Sequence, residues 1–269
     1  MSRALPMSRR VSLLALSLFC STAAWAQEPQ VPTDPAAAIT PSPWSGSGGE
    51  LGFASAHGNS TTESLNAKLR ARYTDGDWIH SLDLTGLRSS ATYTRTNDDG
   101  SIDRYSQTTS NRYTGAAGSA LQLGEHRQLT ATLRYERDDF ATYDRVATFG
   151  LGYGTRLIDG EKMYLDAQIG PGVRRAHDAV EDRDENGLIG RGLFDFKYAI
   201  TGNTDLLNTL LVESGEYNTF AQNDLGVSVA MNNHFALKAA WQMRHNSQVS
   251  EGSKRTDTLT TVNLVYTFK

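Results

Sequence analysis

The residues whose spacing alone suggests chemistry are Asp182, Asp184 and Asn186, in the run Asp182-x-Asp184-x-Asn186-Gly187. Carboxylates and an amide at alternate positions before a turn glycine are how calcium loops gather oxygen ligands. The twelfth position of such a loop is Leu193, not a bidentate glutamate, and both flanks read as strands, so this is no EF-hand. A solvated acidic loop is the favoured reading of residues 176–187. Weak Ca2+ binding at Asp182, Asp184 and Asn186 is the sharper alternative, and no other cofactor is expected. The histidines His57, His80, His126, His177, His234 and His245 have no H-E-x-x-H or G-x-S-x-G context. His245, Asn246 and Ser247 come nearest to a nucleophile with a base, but three common polar residues beside a loop are a weak signal. No catalytic residue is assigned, and the chain is not expected to be an enzyme. Its net charge of −4 and lack of Lys or Arg runs argue against nucleic-acid binding.

The elements that must position these residues are strands. Leu65, Ala67, Leu69, Ala71 and Tyr73 alternate with Asn66, Lys68, Arg70 and Arg72. The same period of two recurs in Leu129–Glu136, Arg191–Ile200, Phe235–Arg244 and Thr261–Phe268. The expected strands are 48–57, 64–74, 78–92, 106–123, 128–137, 145–157, 162–175, 188–201, 206–217, 221–231, 235–246 and 257–268. Their connections alternate in kind. Asp75-Gly76-Asp77, Gly124–Arg127, Asp159-Gly160-Glu161, Gly202–Asp205 and Asn232-Asn233-His234 are short and rich in turn formers. The others, such as Tyr93–Tyr105, Ala176–Gly187 and Ser247–Thr256, are longer and polar.

Strands of roughly 10–14 residues exceed the ~5–6 common in soluble sandwiches and suit a tilted membrane span. The fold expected is an all-β transmembrane antiparallel barrel of about 12 strands, with short periplasmic turns and longer extracellular loops. A mean hydropathy of −0.44 fits, because half of each strand faces a polar lumen. Aromatic residues mark both ends: Tyr73, Trp78, Phe235 and Phe268 at the turns, and Tyr93, Tyr105, Phe140, Tyr143, Tyr217 and Phe220 at the opposite rim.

Alternation then assigns the inward charges: Lys68, Arg70, Arg72, Asp83, Arg134, Glu136, Asp166, Arg191, Asp195, Lys197, Glu213, Lys238 and Arg244. Their mixed signs favour a salt-bridged plug or narrow pore over an open diffusion channel. Gly150, Gly152 and Gly154 share that inward side and leave space into which larger neighbours can lean. Gly170-Pro171-Gly172 is expected to break the ladder as a bulge.

The N-terminal end carries an export pattern. Arg3, Arg9 and Arg10 precede the uncharged stretch Val11–Thr22, and Ala24-Trp25-Ala26 predicts cleavage before Gln27. Cys20, the one cysteine, follows Phe19 where a lipoprotein needs a small residue, so no cysteine is expected after cleavage. Five of the seven prolines fall between residues 29 and 43. They mark residues 27–44 as an extended linker between the signal peptide, 1–26, and the barrel, 45–269.

Two stretches resemble the salt-induced outer-membrane protein family (YdiY-like), a domain of unknown function. One is Gly49-Glu50-Leu51-Gly52-Phe53 with Gly58-Asn59-Ser60 and Ser64-Leu65-Asn66-Ala67. The other comprises Phe235-Ala236-Leu237-Lys238, Asn246-Ser247, Lys254–Thr258 and Leu264–Phe268. The likeness covers about residues 45–269 and implies a stress-induced outer-membrane barrel with no assigned catalytic residues. The final strand also resembles a barrel-assembly signal through Tyr266 and Phe268, although Asn263 replaces a common glycine and Lys269 follows the usual terminal phenylalanine. The partners expected are outer-membrane lipid, lipopolysaccharide and the barrel-assembly machinery. The function expected is a narrow channel or an envelope-stress structural protein. A surface barrel binding ligand, ions or lipopolysaccharide is the alternative, with a lipid-modifying enzyme third.

Overall fold

The computed structural model describes residues 42–57, 60–96 and 102–268. The signal peptide expected at 1–26, and residues 27–41 of the expected linker, lie outside the described residues. Every regular element among the described residues is a strand: β1 (Gly48–His57), β2 (Ser60–Asp75), β3 (Trp78–Thr96), β4 (Ile102–Gln122), β5 (Arg127–Asp138), β6 (Tyr143–Asp159), β7 (Met163–Asp178), β8 (Arg183–Thr201), β9 (Thr204–Gly215), β10 (Thr219–Ala230), β11 (Phe235–Asn246) and β12 (Thr256–Thr267). Sequence neighbours pair antiparallel, and β12 pairs with β1, so the sheet closes as a twelve-strand barrel. Closure removes the edge strands that an open sheet would expose.

One side of these strands is apolar and exposed. Leu51, Leu69, Leu84, Leu133, Leu151, Ile169, Val173, Leu188, Val262 and Leu264 all lie on it. Exposed aliphatic surface of this extent is costly in water and suits hydrocarbon. Aromatic pairs stand at the turn end, where Trp44 packs on Tyr73 at 4.9 Å and Phe235 on Tyr266 at 5.1 Å. Phe268 meets the Tyr266 ring edge-on at 5.1 Å, so both residues of the expected assembly signal belong to this cluster. Among the described residues, no helix is long and apolar enough to cross a membrane.

Three expectations need correction. The polar stretches read as long loops are largely strand: β3 runs to Thr96, β7 to Asp178, and β8 begins at Arg183. A hairpin ladder needs only backbone partners, so it continues through polar residues where no membrane enforces alternation. Asp182, at φ 49°, makes the tight turn between β7 and β8. Gly170-Pro171-Gly172 does interrupt the ladder, but not as a bulge: β6–β7 pairing lapses at Pro171 and Gly170, between Gly150↔Gly172 and Tyr153↔Ile169, with no shift of register. β7 keeps its register with β8 through Gly170↔Arg191, Pro171↔Gly190 and Gly172↔Ile189. The residues there are small because β6 comes close: a Cβ on Gly170 would stand 1.9 Å from the Leu151 carbonyl oxygen. Finally, Tyr143 and Phe220 do not join the outer aromatic rim. Both are buried.

Gly170→Ala should therefore push β6 from β7 and destabilise the barrel by about 1–3 kcal/mol. Gly190→Ala, where a Cβ meets nothing within 4 Å, should change stability by less than about 0.5 kcal/mol. Urea-unfolding midpoints of the two variants in detergent check the contrast.

Candidate functional site

The register fixes which side chains share the inner face. Asp83 faces Arg70, Arg134 faces Thr148, Arg191 faces Glu213, and Glu213 faces Phe220. Contacts between strands that are not neighbours show where these side chains go, since only the interior connects such strands. Arg244 of β11 reaches Glu136 of β5 through Nη2, and Asp138 through Nη1 at 3.4 Å. Arg112 of β4 donates to Gln242 of β11 at 2.7 Å. Arg134 of β5 lies 3.7 Å from Glu213 of β9. Lys238 of β11 passes β12 to meet Glu50 of β1 at 2.9 Å.

These contacts form a layer across the lumen. Glu136 accepts from Arg134 at 2.5 Å and from Arg244, and Thr114 donates to it at 3.3 Å. Phe220 fills the space between the two arginines, each guanidinium 5.1 Å from its ring centroid, within cation–π range. Arg174 lies over Tyr143 at 5.4 Å, and the Tyr143 hydroxyl donates to Glu185 at 3.0 Å. Leu87, Ala91, Ala176 and Ile189 are also buried on this half, which therefore has a packed core inside the barrel. The three inward glycines of β6 admit the larger neighbours. A Cβ would stand 3.2 Å from Arg191 Cδ at Gly150, 2.5 Å from Gln168 Nε2 at Gly152, and 2.9 Å from Gln128 Cγ at Gly154.

The turn-end half is hollow. A cavity of about 720 Å³ lies between the layer and the turn Gly124–Arg127, bordered by Arg70, Asp83, Gln128, Arg156, Asp166, Arg191 and Asp195. Most of its charges are paired: Arg70 with Asp83 at 2.7 Å, and Arg156 with Asp166 at 2.7 Å. Asp195 accepts from Thr209 at 3.0 Å. The lumen thus has a polar hollow on the turn side and a packed ionic layer beyond it.

A family model described as "Protein of unknown function, DUF481" matches residues 49–268. The chain belongs to this family. It is 27% identical over 264 residues to the uncharacterized protein YdiY of Escherichia coli (strain K12), covering 95% of this chain and 96% of that protein. Among solved structures it is similar to the NanC porin, at 9% identity and a TM-score of 0.49, over 82% of this chain and 99% of that one. It is also similar to the translocator domain of autotransporter NalP from Neisseria meningitidis, at 13% identity and a TM-score of 0.46, over 82% and 87%.

The remaining sequence-assigned residues sort clearly. Lys68 stands opposite Glu50, and Lys197 pairs with Asp205 at 2.8 Å. Arg72 runs alongside Gly46 at the turn end. The loop placement of Asp182, Asp184 and Asn186 needs correction. Asp184 and Asn186 lie within β8, not in a loop, and the Asp184 carboxylate is taken by Arg175 at 2.6 Å and His177 at 3.2 Å. Among the described residues, no three His, Cys, Asp or Glu side chains converge to hold a metal. The residues beside His245 do not assemble: His245 bonds Thr256 at 2.9 Å, while Ser247 donates to Asn218 at 3.2 Å.

Sequence reasoning missed Glu50, Arg112, Asp138, Arg156 and Arg174. Asp138 fell one residue past the expected end of its strand. Arg174 was obscured by the presumed bulge, and Glu50 by surrounding glycines. Alternation counted from Tyr113 would have found Arg112.

Removing Arg244 leaves Glu136 and Asp138 buried with less compensation, so Arg244→Ala should cost about 3–5 kcal/mol. Lys197→Ala, which breaks a part-exposed pair, should cost less than about 1 kcal/mol. Parallel urea titrations of the two variants read this difference.

Proposed function

We propose that the protein is a non-enzymatic outer-membrane barrel acting as a narrow channel, shut at rest by the charged layer. One observation carries this reading: Arg244 on one wall binds Glu136 on the opposite wall, above a polar hollow of about 720 Å³ that reaches the turns. Two buried charges held across a lumen obstruct it, yet they remain a polar path once parted, which a hydrocarbon plug would not be.

Several features support the membrane setting. The apolar belt and the aromatic residues at its ends fit a bilayer. An even strand number puts the short turns, and both ends of the barrel, in the periplasm. The export pattern over 1–26, with cleavage before Gln27, would deliver the chain there. Tyr266 and Phe268 would present the last strand to the barrel-assembly machinery, and the far rim would meet lipopolysaccharide. A role in salt or osmotic stress rests on the family resemblance. It suits a lumen latched by ion pairs, whose strength ionic strength alters.

Planar-bilayer recording of the detergent-purified protein tests the channel. The unaltered protein should give small, infrequent current steps, and Phe220→Ala/Arg244→Ala should conduct steadily and several-fold more. A large steady current from the unaltered protein would mean an open pore. Silence from both proteins would mean a plugged structural or binding barrel.

A further inference from the structure

The hollow on the turn side ends against two guanidiniums that also face the layer. Arg134 and Arg191 both border the cavity, and both approach the carboxylate of Glu213. Glu213 is 0% exposed. Its oxygens lie 3.7 Å from Arg134 Nη1 and 3.5 Å from Arg191 Nε, too far for well-formed hydrogen bonds. Neither oxygen has a hydrogen-bond partner among the described residues. A carboxylate removed from water normally needs such bonds, so this one is held by charge and under-coordinated.

Arg191 is the complementary half. Its guanidinium has one long contact, Nε to Glu213 Oε1 at 3.5 Å, although it carries five N–H donors. Its stem runs past Gly150, where a Cβ would stand 3.2 Å from Cδ, so the glycine keeps the guanidinium seated beside the cavity. Arg134 spends one nitrogen on Glu136 and leaves the side towards Glu213 loosely filled.

We propose that Arg134 and Arg191 form a seat for a small monocarboxylate solute arriving through the hollow, with Glu213 as the built-in anion that occupies the seat otherwise. Guanidinium forks match the planar carboxylate in geometry as well as charge. Six arginines against four carboxylates border the cavity, so its lining favours entry of an anion. This site deepens the channel reading and rests on it only for the solute's route.

The test is the melting midpoint of the intact barrel in detergent, with chloride exchanged for acetate at constant ionic strength. Acetamide serves as the uncharged control. Glu213→Gln keeps the shape but removes the resident anion. Its midpoint should fall in chloride and rise by roughly 5 °C as acetate saturates the seat. The unaltered protein should respond less, because Glu213 competes, and acetamide should do nothing. Adding Arg191→Gln to Glu213→Gln should abolish the acetate response. Equal effects of acetate and acetamide, or an undiminished response in the double variant, would overturn the proposal. If Glu213→Gln does not fold, Glu213→Asp, whose shorter carboxylate retreats from the seat, carries the same comparison. A conducting barrel blind to acetate would remove the seat alone. An acetate-responsive barrel that never conducts would remove the channel alone.

Discussion

The pairing of Glu136 with Arg134 and Arg244 is the interaction from which the rest of the interior follows. A twelve-strand barrel is too wide to be filled by side chains from one wall, and a buried carboxylate without partners would be prohibitive. Arginines from β5 and β11 resolve both problems together, because their length spans the lumen and their charge offsets the acid. Phe220 then has a defined place between the two guanidiniums, and Glu213 is carried into the same layer by its register with Phe220 and Arg191.

The wall is shaped to permit that layer. Long side chains find room where a strand carries none of its own, and the alternate glycines of β6 leave space for Arg191 of β8 and for Gln128 and Gln168 of the adjoining strands. In the turn-side half the charges pair locally along the wall, Arg70 with Asp83 and Arg156 with Asp166, so it stays hollow. One sheet thus carries two interiors, divided near the level of Arg134 and Arg191. The position of that division, rather than any single residue, is what makes the barrel a candidate channel with a closed end.

Much of this was legible in the sequence, because alternation and turn chemistry are local. Asp75-Gly76-Asp77 and its counterparts located the hairpins, and period two separated Lys68, Arg70 and Arg72 from Leu69 and Ala71. Three things were not legible. Polar residues such as Arg183 and Asp184 read as loop, although backbone pairing with β7, and the bonds of Asp184 to Arg175 and His177, hold them in β8. Tyr143 and Phe220 read as rim aromatics, since composition cannot show that an arginine will cover a ring. Which inward charges meet across the lumen depends on barrel closure. Arg244 and Glu136 are 108 residues apart, and no local pattern links them.

The division of the lumen is tested most directly by thiol accessibility along the inner face. No cysteine is expected after cleavage at residue 26, so single cysteines can be placed at Ser81 and Gln128 in the hollow and at Thr148, which is buried at the layer. In the folded protein, a water-soluble charged thiol reagent should modify the cysteines at 81 and 128 quickly and leave the one at 148 untouched until unfolding. Equal, rapid modification of all three would contradict a closed layer and show a lumen open from end to end.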